Sequence, residues 1–419
     1  MSTSVFNNTF IQLHAAIVLM GYWMVSSILG VLIGDIPQLV SIVYRAVQLL
    51  LSLRVLVICR KDIYIHKGHS LLSFFVITMF LFALRMIIDF IDGPFVGQIP
   101  SLWFLNDFLY VIVSIFVSIW AMFVSCRYLD INRVTEYVFW MGLVTLVCVY
   151  LLMSRGQINY EEGRVDAGRG LGTLSIAKLG AFEVLAAVHL LLNGKEKKVV
   201  FKVLYIFGIV MGVFISLASG SRGGVAGMVL ALGAYWILST RRNVFFFIVA
   251  MVSVFIVYIN IVTILEFMSN FFPVISNRFL STVLENDQSG RQQIRQLAIN
   301  TILNNPLLGY SYRLFPTATG SGPHNGILEI FLALGIPFGL LYLYFIWLKG
   351  IAYTIKIMPY KQFCFAGTMT VFVMVTAMFG GSIDEQYFGF AMCLLGSAYY
   401  YGNTTRSSFQ LPETSVKKT

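Results

Sequence analysis

Charged residues are scarce in this 419-residue chain. Asp, Glu, Lys and Arg make up 11% of it and hydrophobic residues 58%, whereas soluble domains contain about 25% charged residues. The mean hydropathy is +0.81. This balance excludes a water-soluble enzyme. The apolar runs are long and unbroken rather than short and alternating, which favours membrane-spanning helices over a barrel.

Several chemical signatures are also missing. The five cysteines form no CxxC pair, so they predict neither a metal site nor a disulfide framework. The sequence has no HxxxH pair, no carboxylate cluster and no Walker-type loop. We therefore expect no metal, no cofactor and no nucleotide-powered chemistry. Residues 1–10 contain no Lys or Arg, so we expect no cleavable signal peptide.

Twelve apolar runs are long enough to cross a membrane as helices. They cover approximately residues 11–34, 37–59, 70–92, 102–125, 137–154, 171–193, 199–219, 223–240, 243–267, 325–348, 362–381 and 386–402. We therefore predict an all-α, polytopic membrane helix bundle of about twelve transmembrane helices. It would form a single transmembrane domain over residues 1–419, ending in a cytoplasmic tail at 403–419.

The distribution of basic residues predicts the orientation. With the N-terminus in the cytoplasm, every inner connection contains Lys or Arg. The short outer connections at 34–37, 93–101 and 382–386 contain none. Basic residues collect on the cytoplasmic side of membrane proteins, so both termini are predicted to be cytoplasmic. The net charge of +10 is explained in this way without nucleic acid.

The predicted outer side carries arginines but no lysine. Because a guanidinium group binds phosphate or carboxylate through two parallel hydrogen bonds, this set predicts an anion site. Ordinary surface charge is the alternative interpretation. The eight residues are Arg155, Arg164, Arg169, Arg222, Arg278, Arg291, Arg295 and Arg313.

One outer segment, residues 268–324 between the ninth and tenth spans, is long. It contains a predicted amphipathic helix that starts near Gly290 and stops before Pro306, because proline disfavours helix at the residue preceding it. Arg291 and Arg295 lie four residues apart on it and therefore share one face. We expect this helix to lie over the outer mouth of the bundle.

Three residues of the predicted outer side, two arginines of this set and one histidine, stand beside glycines. Arg222 lies in the short turn 220–224, and Arg169 lies at the outer end of the sixth span. Glycines and helix starts favour anion binding; a tight turn with a snorkelling arginine is the alternative. His324, the only outer histidine, follows a Gly-rich loop at a span start. A helix start favours the neutral imidazole that a general base needs.

Charged residues inside spans are expected to face the bundle interior. Arg85 and Asp89, four residues apart, are predicted to form a structural ion pair. Glu329 follows His324 by five residues, about 140° away around a helix. We therefore expect Glu329 to contact a neighbouring arginine rather than the imidazole ring.

Taken together, these motifs resemble the O-antigen ligase and O-antigen polymerase superfamily. They are Gly220-Ser221-Arg222-Gly223-Gly224, Gly290-Arg291 opening an outer helix that ends at Asn305-Pro306, and His324-Asn325 followed by Glu329, Gly335 and Gly339. The resemblance covers about residues 165–345. It implies a twelve-span glycosyltransferase of the C type at the periplasmic face of a bacterial inner membrane.

The resemblance also implies roles for individual residues. Arg222 and Arg291 would bind the donor diphosphate, and His324 would be the catalytic residue that activates the acceptor. Arg169 and Arg295 are further donor-binding candidates, from the outer-arginine pattern. Asn325 and Glu329 would be supporting residues. These seven residues are the candidate site.

The implied partners are lipids and glycans. The donor would be an undecaprenyl-diphosphate-linked glycan, and the acceptor another glycan or lipid A-core. Membrane lipid and a chain-length regulator are further candidate partners, and no nucleic acid is expected. Metal-independent, inverting displacement is the expected mechanism, because no outer carboxylate is well placed as a nucleophile.

Three functions stay open. Polymerisation of lipid-linked repeats into O-antigen or capsule chains is preferred, because loci of this kind encode many divergent polymerases. Ligation of the glycan to lipid A-core is the alternative. A polysaccharide flippase or transporter is a minor alternative. It predicts functional charges near the bilayer midplane and two related halves, whereas the candidate residues here collect at one face and no related halves are visible.

Overall fold

The computed structural model describes most of the helical chain. The described residues are 3–34, 38–60, 70–93, 100–155, 159–161, 164–166, 172–194, 198–239, 261–270, 276, 280, 291–313, 323, 325–358, 360, 363–379, 391 and 394–396.

Fifteen α-helices occur among these residues. They are α1 (Thr3–Ala16), α2 (Tyr22–Ile33), α3 (Gln38–Ile58), α4 (Ser70–Ile91), α5 (Ser101–Leu109), α6 (Ser118–Val124), α7 (Ile131–Ser154), α8 (Thr173–Asn193), α9 (Val199–Ala218), α10 (Arg222–Ser239), α11 (Ile261–Ser269), α12 (Arg291–Asn304), α13 (Gly326–Tyr342), α14 (Gly350–Ile357) and α15 (Cys364–Phe379). The π-helical stretches Ile17–Gly21, Tyr110–Val117 and Leu343–Lys349 join α1 to α2, α5 to α6 and α13 to α14 without a break.

Within the described residues, eight helical segments are long and apolar enough to cross a membrane. They are Asn7–Ile33, Leu39–Ile58, Ser70–Ile91, Ser101–Val124, Ile131–Ser154, Leu174–Asn193, Val199–Ala218 and Gly326–Ile357. Shorter apolar helices lie at Arg222–Ile237 and Cys364–Met378. The chain is therefore a polytopic helical membrane protein, as predicted.

The exact number of spans stays a prediction. Most of the predicted spans 243–267 and 386–402 lies outside the described residues, as does the predicted tail 403–419. One short hairpin was not predicted from the sequence. Its strands β1 (Asn159–Glu161) and β2 (Arg164–Asp166) pair antiparallel between α7 and α8.

Small residues allow α8, α9 and α10 to pack closely. A β-carbon added to Gly212 of α9 would lie 2.6 Å from the carbonyl oxygen of Gly180 on α8. The Ser216 hydroxyl donates to the carbonyl oxygen of Ala177 at 3.1 Å. Close approach through residues spaced four apart is typical of membrane helix pairs. A β-carbon on Gly224 of α10 would overlap Ala177, so α8 fixes the start of α10.

The helix α13 is broken near its middle. Gly335 has φ +79° and Pro337 follows within the same helix. Proline removes a helical hydrogen bond, and glycine alone readily adopts positive φ. The segment that follows α12 packs against this break, because a β-carbon on Gly335 would lie 2.9 Å from the carbonyl oxygen of Pro306.

Candidate functional site

Arg222 is the first residue of α10. Gly220, with φ +71°, turns the chain out of α9. The Ser221 hydroxyl then accepts a hydrogen bond from the Gly224 amide at 3.4 Å, as an N-cap residue does. Arg222 is half-buried and stands where the helix N–H groups favour an anion. We call the part of the bundle that includes the start of α10 the Arg222 end.

Asn325 caps the start of α13. Its side-chain oxygen accepts from the amides of Ile327 at 3.0 Å and Leu328 at 3.2 Å. Its side-chain nitrogen donates to the carbonyl oxygen of Met378 on α15 at 3.4 Å. The cap satisfies two of the free donors of a helix N-terminus and joins that terminus to α15.

The starts of α10 and α13 both lie close to the end of α15. Gly227 of α10 packs against α15, where an added β-carbon would lie 2.9 Å from the Thr376 methyl group. Asn325 of α13 bonds to Met378, one helical turn or less further along α15. Arg222 and the first turn of α13 therefore belong to the same end of the bundle.

The predicted amphipathic helix is confirmed. It begins at Arg291 and ends at Asn304, before Pro306 as expected. It packs on α13 through a separate apolar cluster of Ala298, Ile302 and Leu332. The sequence pattern therefore identified both this helix and part of the face that it buries.

Helices α12 and α13 run side by side in the same direction. The Ile336 amide donates to the carbonyl oxygen of Pro306, just after α12, at 2.7 Å. Ile294 and Leu328, near the starts of the two helices, pack against one apolar cluster. The N-terminus of α12 therefore lies at the Arg222 end, beside that of α13.

Arg295 has a side-chain donor for which the described part of the chain provides no acceptor. The residue is half-buried, and its Nε atom is buried without a hydrogen-bond partner among the described residues. Burying a guanidinium donor without an acceptor is unfavourable. An anionic group at this place would satisfy it.

Glu329 lies in the first turn of α13. It is buried, with 5% of its surface exposed, and its amide donates to the carbonyl oxygen of Asn325 at 3.1 Å. A carboxylate in this position is favoured by the positive end of the helix dipole. The expected contact between Glu329 and an arginine stays a prediction.

Three of the candidate residues are not fully described. His324 and Arg169 lie outside the described residues, and Arg291 is described in its backbone but not in its side chain. By sequence His324 immediately precedes the capping residue Asn325. The catalytic and diphosphate-binding roles of the candidate site therefore stay predictions.

The predicted ion pair of Arg85 with Asp89 is confirmed, with Nε and Oδ1 2.9 Å apart. The other hydrogen bonds of Asp89 were not predicted from the sequence. Asp89 also accepts from the Ser311 hydroxyl and from the Tyr312 amide, both at 2.8 Å. Since Ser311 is 222 positions from Asp89, no local pattern in the sequence signals this contact.

Comparison with known proteins finds a match to one family model. Residues 206–344 match the family model described as O-antigen ligase. No curated protein matches the chain. The matched region runs from within α9 to the end of α13 and contains six of the seven candidate residues, Arg169 being the exception. The match over residues 206–344 confirms the predicted resemblance to the O-antigen ligase and O-antigen polymerase superfamily.

Proposed function

We propose that this chain is a bacterial membrane glycosyltransferase that polymerises undecaprenyl-diphosphate-linked oligosaccharide repeats. The family match over residues 206–344 supports this reaction class. The observation that carries the proposal is the meeting of three helix N-termini, those of α10, α12 and α13, at one end of the bundle. Such N-termini favour bound phosphate, and Arg222, Arg291 and Asn325 stand at them.

The chemistry follows from the leaving group. An acceptor hydroxyl oxygen attacks the anomeric carbon of the donor glycan, and the bond from that carbon to the phosphate oxygen breaks. Undecaprenyl diphosphate then leaves with growing negative charge. Arg222, Arg291, Arg169 and Arg295 would stabilise that charge, because fixed cations act strongly in a poorly solvated site. His324 would accept the hydroxyl proton, and one displacement would invert the anomeric configuration.

The remaining features of the proposal are the membrane topology, the acceptor and the partners. We propose twelve spans in the inner membrane, with both termini in the cytoplasm and the site at the periplasmic face. A second lipid-linked glycan would be the acceptor, and a chain-length regulator would be a partner. Ligation to lipid A-core is the second candidate, supported by the description of the matched family as O-antigen ligase.

Substitution of His324 tests the proposed base. His324→Ala should lower the rate of glycan transfer by about 100- to 10,000-fold, the usual contribution of a general base. The rate would be measured on protein in lipid nanodiscs supplied with the lipid-linked repeat, with abundance and thermal unfolding as controls. Normal transfer by a correctly folded His324→Ala protein would refute the assignment.

Conservative substitution tests the proposed arginines. Arg222→Lys and Arg291→Lys keep the charge but lose the two-pronged hydrogen bond, so transfer should fall about tenfold or more. Arg155→Lys is the matched control. Arg155 belongs to the same predicted outer set, but its guanidinium donates to the carbonyl oxygen of Val31 on α2 at 3.1 Å. Equal rates in all three variants would contradict diphosphate binding.

The acceptor separates the two candidate enzymes. A polymerase should extend the glycan when lipid-linked repeats are the only substrate, and its deletion should leave lipid A-core capped by a single repeat. A ligase should transfer only when lipid A-core is added, and its deletion should leave long lipid-linked polymer. The second pair of results would replace polymerase by ligase.

A further inference from the structure

The segment that follows α12, residues 305–313, fills the break in α13. The Ile336 amide donates to the carbonyl oxygen of Pro306 at 2.7 Å, and the Tyr310 amide donates to the carbonyl oxygen of Leu332 at 2.6 Å. A broken membrane helix requires partners for its freed backbone groups. We call residues 305–313 the clamped segment, because they supply those partners and are also held by α4 and α5.

The fit between the clamped segment and α13 is close on both sides. Gly309 has φ +72°, and an added β-carbon there would lie 2.5 Å from the carbonyl oxygen of Leu332. On α13, a β-carbon added to Gly335 would lie 2.6 Å from the carbonyl carbon of Leu307. Two backbones therefore touch without side chains between them. A shift of the segment would move α13 or break these contacts.

Asp89 of α4 also holds the clamped segment. The side chain is 1% exposed, and its Oδ2 atom accepts from the Ser311 hydroxyl and the Tyr312 amide at 2.8 Å. The Oδ1 atom lies 2.9 Å from Arg85 Nε. Buried carboxylates are unfavourable unless they are paired and hydrogen-bonded. Asp89 meets that condition largely through the clamped segment.

Asp107 of α5 holds the end of the same segment. It forms an ion pair with Arg313, with the two side chains 27% and 25% exposed. Arg45 of α3 donates to the carbonyl oxygen of Asn106, and its guanidinium lies 4.7 Å from the centre of the Tyr110 ring. Helices α4 and α5 thus each provide a carboxylate to the segment, and α3 contacts α5, although all three helices lie outside the family match.

The clamped segment connects the two parts of the candidate site. It follows α12, which begins at Arg291 and carries Arg295, and it precedes His324 by sequence. We propose that Asp89 and Asp107 are positioning residues for glycan transfer. By fixing the segment they would set α12 against the start of α13, so that the arginines and His324 face one diphosphate. This inference rests on the proposed function.

A double-mutant cycle on the Asp107–Arg313 pair tests the inference. Asp107→Asn and Arg313→Gln should each lower kcat about 10- to 100-fold, since a misplacement of about 1 Å costs about 100-fold. The double variant should be no slower than the slower single variant, because both remove one interaction. Arg133→Gln is the control: Arg133 pairs with Asp130 at 3.9 Å with its side chain 59% exposed, and kcat should not change.

Amide hydrogen exchange gives a second measurement that does not depend on activity. In Asp107→Asn and Ser311→Ala proteins, amides of residues 305–313 should exchange about tenfold faster, because small local openings expose them. Exchange in α7 to α9 should be unchanged. Ser311→Ala removes the hydrogen bond that the Ser311 hydroxyl donates to Asp89 and the one that it accepts from the Arg313 amide at 3.3 Å. It tests Asp89 without leaving its charge unpaired, because the contact with Arg85 remains.

The outcomes separate this inference from the proposed function. An inactive wild-type protein would refute the proposed function, whereas an active wild type with equally active variants would overturn the positioning role. Additive losses in the double variant would also overturn it. Faster exchange throughout the chain would overturn it as well, by showing a general structural defect.

Discussion

Replacement of Gly335 by alanine should destabilise the protein strongly. Gly335 has φ +79°, and a β-carbon there would lie 2.6 Å from the carbonyl carbon of Leu307 and 2.9 Å from the carbonyl oxygen of Pro306. Because its ψ is 175°, Gly335 occupies a backbone region that essentially only glycine adopts, and another residue there loses about 1–3 kcal/mol. Crowding against atoms that cannot rotate away adds about 1–3 kcal/mol. We expect Gly335→Ala to lower the free energy of unfolding by about 2–6 kcal/mol.

Gly233 provides a control of opposite sign. It lies within α10, and no heavy atom of the described residues lies within 4 Å of an added β-carbon. Alanine in a helix interior is more favourable than glycine by about 0.5–1 kcal/mol, because the unfolded glycine chain has more freedom to lose. Gly233→Ala should therefore raise the free energy of unfolding slightly.

Both variants would be measured in the same way. Purified proteins in mixed micelles would be unfolded with sodium dodecyl sulfate, with helix content followed by circular dichroism. The wild type, Gly335→Ala and Gly233→Ala would be compared at one lipid ratio. If Gly335→Ala is as stable as the wild type while Gly233→Ala is stabilised, the close contact between the clamped segment and α13 is wrong.

Two further substitutions follow from close contacts and caps. Gly212→Ala should lower the free energy of unfolding by about 1–3 kcal/mol, because the new methyl group would lie 2.6 Å from the carbonyl oxygen of Gly180; an unchanged unfolding curve would contradict the packing of α8 on α9. Asn325→Ala should lower the free energy of unfolding by about 1 kcal/mol, because the N-cap is lost. Asn325→Asp should retain most of the stability, because its carboxylate accepts hydrogen bonds from the same two amides. Equal losses in the two Asn325 variants, in the same titration, would argue against the cap.

The helices were predictable because each helix is formed by one continuous stretch of sequence. The helix of Arg291–Asn304 was predicted from apolar residues at helical spacing and from Pro306. The pair of Arg85 and Asp89 was predicted from a spacing of one helical turn. In both cases the interacting residues are neighbours along one helix, so their geometry follows from 3.6 residues per turn.

Contacts between distant segments were not predictable in the same way. Asp89 was recognised as a charge inside a span, and Arg313 as an outer arginine. Their shared role at the clamped segment depends on how α4 and α5 meet a segment some 200 positions later, with Arg313 206 positions from Asp107. Gly335 was noted only as part of the family pattern, because a single glycine in an apolar run does not by itself predict a break in a helix.

The transporter alternative can be weighed by where buried charge lies. A transport site requires ionisable groups near the bilayer midplane that a water-filled cavity reaches. Glu183, at the middle of α8, is a candidate by depth, yet it is 0% exposed. Its carboxyl group is enclosed by neighbouring helices, since a β-carbon on Gly142 would lie 3.2 Å from its carboxyl carbon and one on Gly208 2.8 Å from its Oε1 atom. Arg222 and Arg291 instead stand at helix N-termini, a position that favours a bound anion. That division favours chemistry on a phosphate at the membrane surface over passage of a charged group through the middle of these helices.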